Sequence, residues 1–208
     1  MFKIGITGQA GFLGKHLYNS IGLYPDEFER IDFEKSFFEN DSDLDAFVLK
    51  CDIIVHLAAM NRHNDPEVIY ATNVGLVKTL IASLERTQSK AHVIMSSSSQ
   101  EEKDNLYGLS KKEGRELLGE WAHKSDACFT GMIIPNVFGP FGDPYYNSVV
   151  ATFCHKLTHG ETPAIDVDSQ MKLIYVSELV EIILESIRNK INQPLLTVAH
   201  TTEIKVSE

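Results

Sequence analysis

The sequence of 208 residues has little cysteine and far fewer basic than acidic side chains. Its three cysteines are Cys51, Cys128 and Cys154. Because their number is odd and no pair has CxxC spacing, the sequence predicts neither a disulfide framework nor a zinc site, and each cysteine is expected to be a small buried residue. The formal net charge of −10 argues against nucleic acid as a partner, since binding it relies on clustered cations.

Long apolar runs are missing as well. No uninterrupted apolar segment reaches the length that crosses a bilayer, and the N-terminus has no cationic segment followed by a long apolar one. We therefore expect no membrane partner, no signal peptide and a cytoplasmic location. With 43% hydrophobic and 23% charged residues and no internal repeat, the composition is that of a globular α/β domain with a sizeable core.

Apolar segments of strand length alternate with helical segments along most of the chain. Asp52–Leu57 is an apolar run, as expected of a strand buried on both faces, and Pro66 suits the first turn of a long helix. This alternation predicts an α/β fold with a doubly wound parallel sheet of the Rossmann type. The predicted strands are Phe2–Thr7, Phe28–Ile31, Asp52–Leu57, His92–Met95, Phe129–Ile134 and Leu195–Val198, and the predicted helices are Gly11–Ile21, Leu44–Leu49, Pro66–Arg86, Leu106–His123, Val149–Leu157 and Val176–Arg188.

The spacing of predicted elements becomes less regular after Ile134. We therefore divide the chain into a dinucleotide-binding domain at 1–140 and a small substrate-binding lobe at 141–208, with some of its strands and helices returning to the sheet. The chain ends in what we predict to be the start of a further helix, Glu203–Glu208, and we interpret the lobe as incomplete.

Three glycines stand directly between the first predicted strand and the first helix. In this GxxGxxG pattern, Gly8 suits the tight turn, Gly11 allows close approach of backbone to a pyrophosphate, and Gly14 allows tight helix packing. A helix N-terminus offers unpaired N–H groups to phosphate. The alternative is an ordinary glycine-rich turn, but the β-loop-α context favours a dinucleotide.

Asp32 follows the second predicted strand, where a carboxylate can accept hydrogen bonds from the ribose hydroxyls of NAD. A carboxylate there would repel the additional phosphate of NADP. Arg30 and Lys35 lie nearby and offer cations that would instead accept NADP. Asp32 could equally be a solvated acid of the acidic stretch 26–45, so the sequence leaves NAD and NADP both open.

A YxxxK pair, Tyr107 and Lys111, opens the predicted helix after the fourth strand. At i and i+4 the two side chains share a helix face, and an ammonium beside a phenol is expected to lower the pKa of the phenol. Tyr107 would then exchange a proton with a carbonyl or carbinol oxygen. Ser98, in the run of serines that ends the preceding strand, would hold the same oxygen.

In this order, the glycine loop, the serines and YxxxK resemble the nucleotide-sugar branch of the extended short-chain dehydrogenases/reductases. The segments Thr7–Gly14, His56–Ala59 and Thr72–Val74 resemble that branch's TGxxGFLG, HLAA and TNV motifs. The resemblance runs over essentially the whole chain. It implies an NAD(P)-dependent oxidoreductase whose cofactor contacts, besides the three glycines, Asp32 and Lys111, include Phe12, Leu13, Leu57, Ala58, Ala59 and Asn73.

Within that branch the chain is most similar to capsular-polysaccharide reductases of the CapF type, chiefly through Tyr146–Cys154 and the segment 56–62. This resemblance implies reduction of the C4 ketone of a UDP-linked 2-acetamido-2,6-dideoxy-hexos-4-ulose, a precursor of N-acetylfucosamine. The C-terminal cupin domain of these relatives, which epimerises C3, is not within the 208 residues. The substrate contacts implied are Asn61, Arg62, Asn136 and Asn147.

The sequence departs from these relatives at two positions. They use NADP and carry a basic residue where this chain has Asp32, and Ile133 replaces an arginine near the site. Two alternatives remain: a sugar-nucleotide 4-epimerase or dehydratase with bound NAD, and a Rossmann NAD(P)-binding sensor without chemistry. By resemblance we also expect a homodimer formed through the helices Pro66–Arg86 and Leu106–His123.

Two further groups of polar residues are given no function. His155 and His159 have helical i, i+4 spacing but no third ligand is apparent, so we predict no metal site. Glu101, Glu102 and Asp104 are expected to form a solvated loop.

Overall fold

The centre of the computed structural model, which describes all residues from Met1 to Glu208, is a six-stranded parallel sheet in the order β2-β1-β3-β4-β5-β8. A second sheet of three short strands has the order β6-β7-β9. The strands are β1 (Phe2–Thr7), β2 (Phe28–Ile31), β3 (Ile53–His56), β4 (His92–Ser98), β5 (Phe129–Ile134), β6 (Asn136–Phe138), β7 (Gln170–Tyr175), β8 (Gln193–Thr197) and β9 (Thr202–Lys205). The helices are α1 (Phe12–Ile21), α2 (Asp41–Lys50), α3 (Pro66–Arg86), α4 (Leu106–Ser125), α5 (Val149–Thr158) and α6 (Val176–Arg188), with short 3₁₀ turns at Lys35–Glu39 and Ser99–Glu102.

Helices cover both faces of the main sheet. On one face α1 and α6 bury residues such as Leu17 and Ile183, and on the other α2, α3 and α4 bury Phe47, Leu80 and Leu118. The strands between these layers are therefore buried on both sides, which explains their nearly continuous apolar sequences. The predicted doubly wound α/β fold is confirmed.

The strand order reverses direction at β1, which has β2 on one side and β3 on the other. In open α/β sheets, ligands bind beyond the carboxyl ends of the strands at such a reversal. The loop Gly8–Gly11 leaves β1 at this point, and the segment Leu57–Asn61 leaves β3 beside it. The topology thus brings together two segments that the sequence singled out.

The C-terminal third contributes to both sheets. Strand β8 pairs with β5 in the main sheet, and α6 packs beside α1. Helix α5 and the strands β7 and β9 are its other regular elements. Of the segment beyond residue 140, β8 therefore belongs to the main sheet and α6 to one of its helical layers.

The predicted helix at Glu203–Glu208 is wrong, because Thr202–Lys205 forms β9, antiparallel to β7. In this register Glu203 lies opposite Lys172 and Ile204 lies opposite Met171. An opposite-charge pair and an apolar pair across two strands stabilise a sheet, and these contacts depend on a segment distant in sequence. Strands β6 and β7 were likewise not predicted from local pattern.

Helix α3 is long and apolar enough, by length and composition, to cross a membrane, which the absence of long apolar runs had argued against. In the fold it packs against α2 and α4. Its buried residues include Asn73 and Ser83, whose side chains form hydrogen bonds within the domain. These contacts are those of a core helix.

The three cysteines occupy different environments, and all three are free thiols. Cys51 is buried, and burial raises the pKa of its thiol to about 12, so it is unreactive at neutral pH. Cys128 is half-buried and Cys154 is exposed. The expectation that every cysteine is buried is therefore wrong for Cys154, which lies on the solvent side of α5.

Candidate active site

A cavity of about 590 Å³ opens where β1, β3 and β4 end. This volume lies within the range of sites that bind small molecules and cofactors. Its walls combine the glycine loop, the segment Leu57–Asn61, Ser96–Ser98 and the side chains of Tyr107 and Lys111. Residues from four separate parts of the sequence, each predicted to contribute to one site, therefore share a single cavity.

Each glycine of the loop meets a different steric requirement. Gly8 has a φ of +80°, and a Cβ there would lie 2.8 Å from the backbone nitrogen of Ala58. A Cβ at Gly14 would lie 2.3 Å from the carbonyl oxygen of Gly8, so only glycine fits. At Gly11 a Cβ would meet only that same oxygen, at 3.3 Å. Gly8 and Gly14 are thus required by the loop itself, whereas Gly11 leaves room on the cavity side.

The N-terminus of α1 has unsatisfied hydrogen-bond donors. Gly11 occupies the N-cap position, no side chain caps the helix, and its first turn contains no acidic residue. The N–H groups and the positive end of the helix dipole are therefore available to an anion. Together with the open side of Gly11, this arrangement fits the pyrophosphate of a dinucleotide.

Tyr107 lies half-buried in the cavity wall. Burial, aided by the nearby Tyr146, raises the pKa of Tyr107 to about 12, and the hydroxyl of Ser98 offsets this only in part. The expected lowering of this pKa by Lys111 is therefore wrong for the chain alone, because burial disfavours the charged phenolate. At neutral pH Tyr107 is a protonated phenol, poised to donate.

Lys111 is buried beneath Tyr107, with 4% of its surface exposed. Its Nζ donates a hydrogen bond to the carbonyl oxygen of Ser96 at 2.9 Å and lies 5.9 Å from the centre of the Tyr107 ring. Burial lowers the pKa of Lys111 to about 8, against a smaller opposing influence of the Glu101 carboxylate. Lys111 is therefore a cation at neutral pH that loses its proton in mildly alkaline solution.

The serines at the end of β4 have separate partners. Ser96 accepts from Lys111 through its carbonyl, and the hydroxyl of Ser97 donates to the carboxylate of Glu101. Ser98 accepts from the backbone N–H of Gln100 at 3.1 Å and lines the cavity beside Tyr107. Of these three hydroxyls, that of Ser98 is best placed to meet a bound oxygen.

Asp32 does not line the cavity. It is exposed, and its Oδ1 accepts a hydrogen bond from the hydroxyl of Tyr18 at 2.8 Å, while the guanidinium of Arg30 lies 4.4 Å from the centre of the Tyr18 ring. Lys35 does line the cavity, next to Phe33 and Phe38. The cation of this region therefore faces the cavity, and the carboxylate faces Tyr18.

Asn73 also lies outside the cavity. Its side chain donates to the carbonyl oxygen of Met60 and to the hydroxyl of Ser110, and accepts from the N–H of Met60 at 2.7 Å. With all its polar atoms engaged, Asn73 fixes the segment after β3 against α4. The geometry favours this supporting contact over the direct cofactor contact that the resemblance implied.

The four residues expected to contact substrate separate into two groups. Asn61 lines the cavity. Arg62 donates to the carbonyl oxygens of Tyr145 and Tyr146, at 2.8 and 3.1 Å, and so fastens the loop that brings Tyr146 near Tyr107. Asn136 and Asn147 are exposed and do not line the cavity, and Asn136 donates to the carbonyl oxygen of Lys172.

Glu101 is not part of a solvated loop, as the sequence had led us to expect. Its side chain is only 8% exposed and binds Arg115. The charged pair lies directly behind the serines at the end of β4. The only local signal for this pair is the position of Arg115 one helical turn after Lys111.

Two known proteins are 30% identical in sequence to this chain. A UDP-2-acetamido-2,6-beta-L-arabino-hexul-4-ose reductase of Pseudomonas aeruginosa is 30% identical, over 99% of this chain and 55% of the relative. The crystal structure of the capsular polysaccharide assembling protein CapF from Staphylococcus aureus is 30% identical, with a TM-score of 0.82 over 98% of this chain and 54% of that one. The chain thus spans about half the length of both relatives.

A more distant solved structure has the same fold. The UDP-glucose 4-epimerase from Thermotoga maritima, solved with UDP-glucose, is 21% identical, with a TM-score of 0.86 over 99% of this chain and 79% of that one. Reductases and epimerases therefore share this architecture, and the fold alone does not separate the two activities. The sequence pattern of one family matches residues 4–195, and on that match the chain belongs to the NAD dependent epimerase/dehydratase family.

Proposed function

We propose that this chain is a reductase that uses NADPH or NADH to reduce the C4 ketone of a UDP-linked 2-acetamido-2,6-dideoxy-hexos-4-ulose, in the formation of a capsular polysaccharide precursor. The substrate class is supported by the two relatives at 30% identity, one named as a reductase of such a sugar and the other as a capsular polysaccharide assembling protein. The cofactor is supported by the family and by the fit of the glycine loop to a pyrophosphate.

The observation that carries this proposal is the placement of Tyr107, Lys111 and Ser98 in the wall of one cavity with the glycine loop. Reduction of a ketone consumes a proton at the carbonyl oxygen, and a phenol whose pKa is raised to about 12 keeps its proton until the oxygen becomes an alkoxide. A 4-epimerase must begin by removing a proton from a hydroxyl group, which requires a phenolate. Net consumption of the reduced cofactor, and not the pKa of Tyr107, separates reduction from epimerisation. A buried proton donor in the cavity wall argues against a sensor, which has no need of one.

In this mechanism Tyr107 donates its proton to O4 of the sugar, and Ser98 orients that oxygen by a hydrogen bond. Lys111 supplies a positive charge close to the phenol, which stabilises the phenolate left after transfer. A reduced nicotinamide cofactor would supply the hydride when bound. The N-terminus of α1 and the open side of Gly11 would hold its pyrophosphate, and Asn61, in the cavity wall, would contact the sugar nucleotide.

Turnover of a 4-keto sugar nucleotide tests the proposal. The chain is mixed with the reduced cofactor and the UDP-linked 4-ulose, and oxidation of the cofactor is followed by absorbance. We expect one cofactor oxidised for each sugar reduced. An epimerase converts sugar without net consumption of cofactor, and a sensor binds the cofactor without converting any sugar. Either outcome would remove the reductase assignment.

The pH dependence of turnover should reflect Lys111. Because burial lowers the pKa of Lys111 to about 8, and the protonated form is the active one, turnover should hold below that pH and fall as the pH rises through it. Lys111→Arg keeps the cation at every accessible pH, so the alkaline fall should move upward. Measurement of kcat across the alkaline range in both proteins decides this. An unchanged fall in Lys111→Arg would assign it to another group.

NADPH should bind more tightly than NADH. Lys35 faces the cavity, whereas Asp32 is held by Tyr18, so the region meets a phosphate with a cation and not with a carboxylate. Lys35→Met should weaken NADPH binding roughly 10- to 100-fold, the effect of one lost charge-assisted hydrogen bond, and leave NADH binding unchanged. Asp32→Asn is the matched control and should alter neither. Dissociation constants at low salt test this, and tighter binding of NADH would restore Asp32 as a ribose ligand.

We propose further that the protein acts as a homodimer in the cytoplasm. On α3 Val68 is half-buried and Ala71 is exposed, which leaves apolar helix surface for a second copy. Three free thiols suit a reducing compartment. Ala71 is exposed on α3, so Ala71→Glu should leave the fold intact but place a charge in the interface. Light scattering should show a dimer for the parent and a monomer for the variant, and a monomeric parent would contradict the proposal.

A further inference from the structure

A buried ion pair lies behind the active site. The guanidinium of Arg115 binds the carboxylate of Glu101 through two hydrogen bonds, from Nε to Oε1 at 2.9 Å and from Nη2 to Oε2 at 2.7 Å. The two side chains are 9% and 8% exposed. Arg115 lies on α4, one turn beyond Lys111, and Glu101 lies in the 3₁₀ turn Ser99–Glu102 that follows β4.

The surroundings of Arg115 are shaped to hold its side chain. A Cβ at Gly131 on β5 would lie 2.6 Å from Cγ and Cδ of Arg115, so the absence of a side chain there gives the arginine its path across the strand. Its Nη1 reaches the carbonyl oxygen of Pro194 on β8, at 3.5 Å. The pair therefore joins α4, the turn after β4 and the edge of the sheet.

Ser97 connects this pair to the site. Its hydroxyl donates to Glu101, and Ser97 itself is buried between two residues that the site uses. Ser96, before it, accepts the hydrogen bond from Lys111, and Ser98, after it, faces Tyr107. A shift of Ser97 would therefore move both neighbours at once.

Stability alone gives little reason for such a pair, because apolar residues of similar volume often match or exceed the stability of a buried ion pair. Two charges removed from water must be compensated by well-formed hydrogen bonds, and here those bonds converge on the end of β4. We propose that Arg115 and Glu101 are positioning residues for the reductase, which fix Ser98 and Lys111 through Ser97 and hold a counter-charge near Lys111.

Among the titratable groups near Lys111, only Glu101 carries a charge that acts on its pKa. Glu101 raises the pKa of Lys111 against the lowering caused by burial, and is the one carboxylate that acts on it in this way. His56, from β3, is fully buried with its pKa lowered to about 3, so it is neutral and adds no charge. Tyr107, on the same helix, is a neutral phenol at neutral pH. Removing the charge of Glu101 should therefore lower the pKa of Lys111, and removing the charge of Arg115 should raise it.

Two variants test this, Glu101→Gln and Arg115→Met. Glu101→Gln leaves an uncompensated Arg115 and should move the alkaline fall of kcat to lower pH, whereas Arg115→Met leaves an uncompensated Glu101 and should move it to higher pH. Both should lower kcat roughly 10- to 100-fold with little change in KM, as expected when catalytic groups are slightly misplaced. In the double variant the alkaline fall of kcat should lie at nearly the same pH as in the parent, while kcat itself stays low.

The chain offers a similar but more exposed pair as a control, with side chains 38% and 25% exposed. Arg86 binds Asp45 through two hydrogen bonds, and Ser83 donates to the same carboxylate, in the same arrangement of serine, carboxylate and arginine between α2 and α3. This triad does not line the cavity. Asp45→Asn and Arg86→Met should lower the melting temperature but leave kcat and its pH dependence unchanged, which separates loss of stability from loss of positioning.

A second readout is independent of turnover, since this inference rests on the proposed reductase. The titration of Lys111 is followed by NMR of nitrogen-labelled lysine in the free chain, with Lys111→Arg to identify the signal. Opposite shifts in Glu101→Gln and Arg115→Met support the inference even if the chain reduces no 4-keto sugar, in which case only the proposed function fails. Shifts of the same sign, or none in folded Glu101→Gln, would overturn it. Arg115→Met leaves a buried unpaired carboxylate, so Glu101→Gln, close in shape, remains decisive if that variant does not fold.

Discussion

Tyr107→Phe should lower turnover on the order of 10²–10⁴-fold, the usual contribution of one well-placed general acid. The phenyl ring keeps the packing of the tyrosine in the cavity wall, and only the transferable proton is lost. Affinity for the cofactor should stay as in the parent, because the glycine loop and the N-terminus of α1 are unaffected. Steady-state kinetics for kcat, and quenching of fluorescence for cofactor binding, measure the two effects separately.

Ser98→Ala provides a comparison for this variant. The hydroxyl of Ser97 is engaged by Glu101, and Ser99 is exposed to solvent. Neither hydroxyl is therefore placed to replace that of Ser98. A clear loss of kcat, smaller than that of Tyr107→Phe, is expected. Full turnover in Tyr107→Phe would mean that the proton comes from another donor, such as water held by Ser98, and would remove Tyr107 from the mechanism.

Gly11→Val should abolish useful binding of NAD(P)H while the domain remains folded. The side chain would occupy the space in front of the α1 N-terminus, where the backbone approaches the pyrophosphate. Losing two hydrogen bonds to a charged phosphate, at about 1.5–3 kcal/mol each, lowers affinity on the order of 10²–10⁴-fold. Calorimetric titration with the reduced cofactor measures the loss directly.

Gly14→Ala gives the contrasting result for the same loop. Its Cβ would meet the Gly8 carbonyl at 2.3 Å, a contact within the protein, so this variant should lower the melting temperature whether or not cofactor is present. In the absence of cofactor Gly11→Val should lower the melting temperature less than Gly14→Ala, because its Cβ meets the Gly8 carbonyl only at 3.3 Å. Undiminished cofactor affinity in Gly11→Val would show that the pyrophosphate does not lie at this loop.

The sequence predicted the parts of the fold that depend on local pattern. Strands such as β1 and β5 are short apolar runs, and the bounds of α3 and α6 coincide with those predicted, because Pro66 and the apolar period mark them. Strands β6, β7 and β9 are short and form by pairing with one another, with β7 between the other two. Alternation within Thr202–Lys205 is too short to reveal such a partner.

The candidate site divides in a similar way. Motif spacing brought Gly8, Ser98, Tyr107 and Lys111 into one proposed site, and the structure places all four in one cavity. Motif spacing does not predict how deeply each side chain is buried or which partner it binds, because both depend on residues distant in sequence. Burial raises the pKa of Tyr107 above its ordinary value. Glu101 is buried against Arg115, which comes from another element.

Side-chain direction was equally hidden from the sequence. Asp32 was expected at a ribose because of its place after the second strand, and that place is correct. The hydroxyl of Tyr18, on α1, nevertheless draws its carboxylate away from the cavity. Asn73 is similarly diverted to the backbone of Met60. Competition between hydrogen-bond partners from different elements is not recorded in any local motif.

Transfer of isotope from cofactor to sugar tests the central claim most directly. The chain is supplied with reduced cofactor deuterated at the transferring position and with the UDP-linked 4-ulose, and the product is examined by mass spectrometry and NMR. The account predicts one deuteron at C4 of the sugar for each cofactor oxidised, and its loss in Tyr107→Phe. Sugar converted with no deuterium at C4 and no net oxidation of cofactor would contradict it.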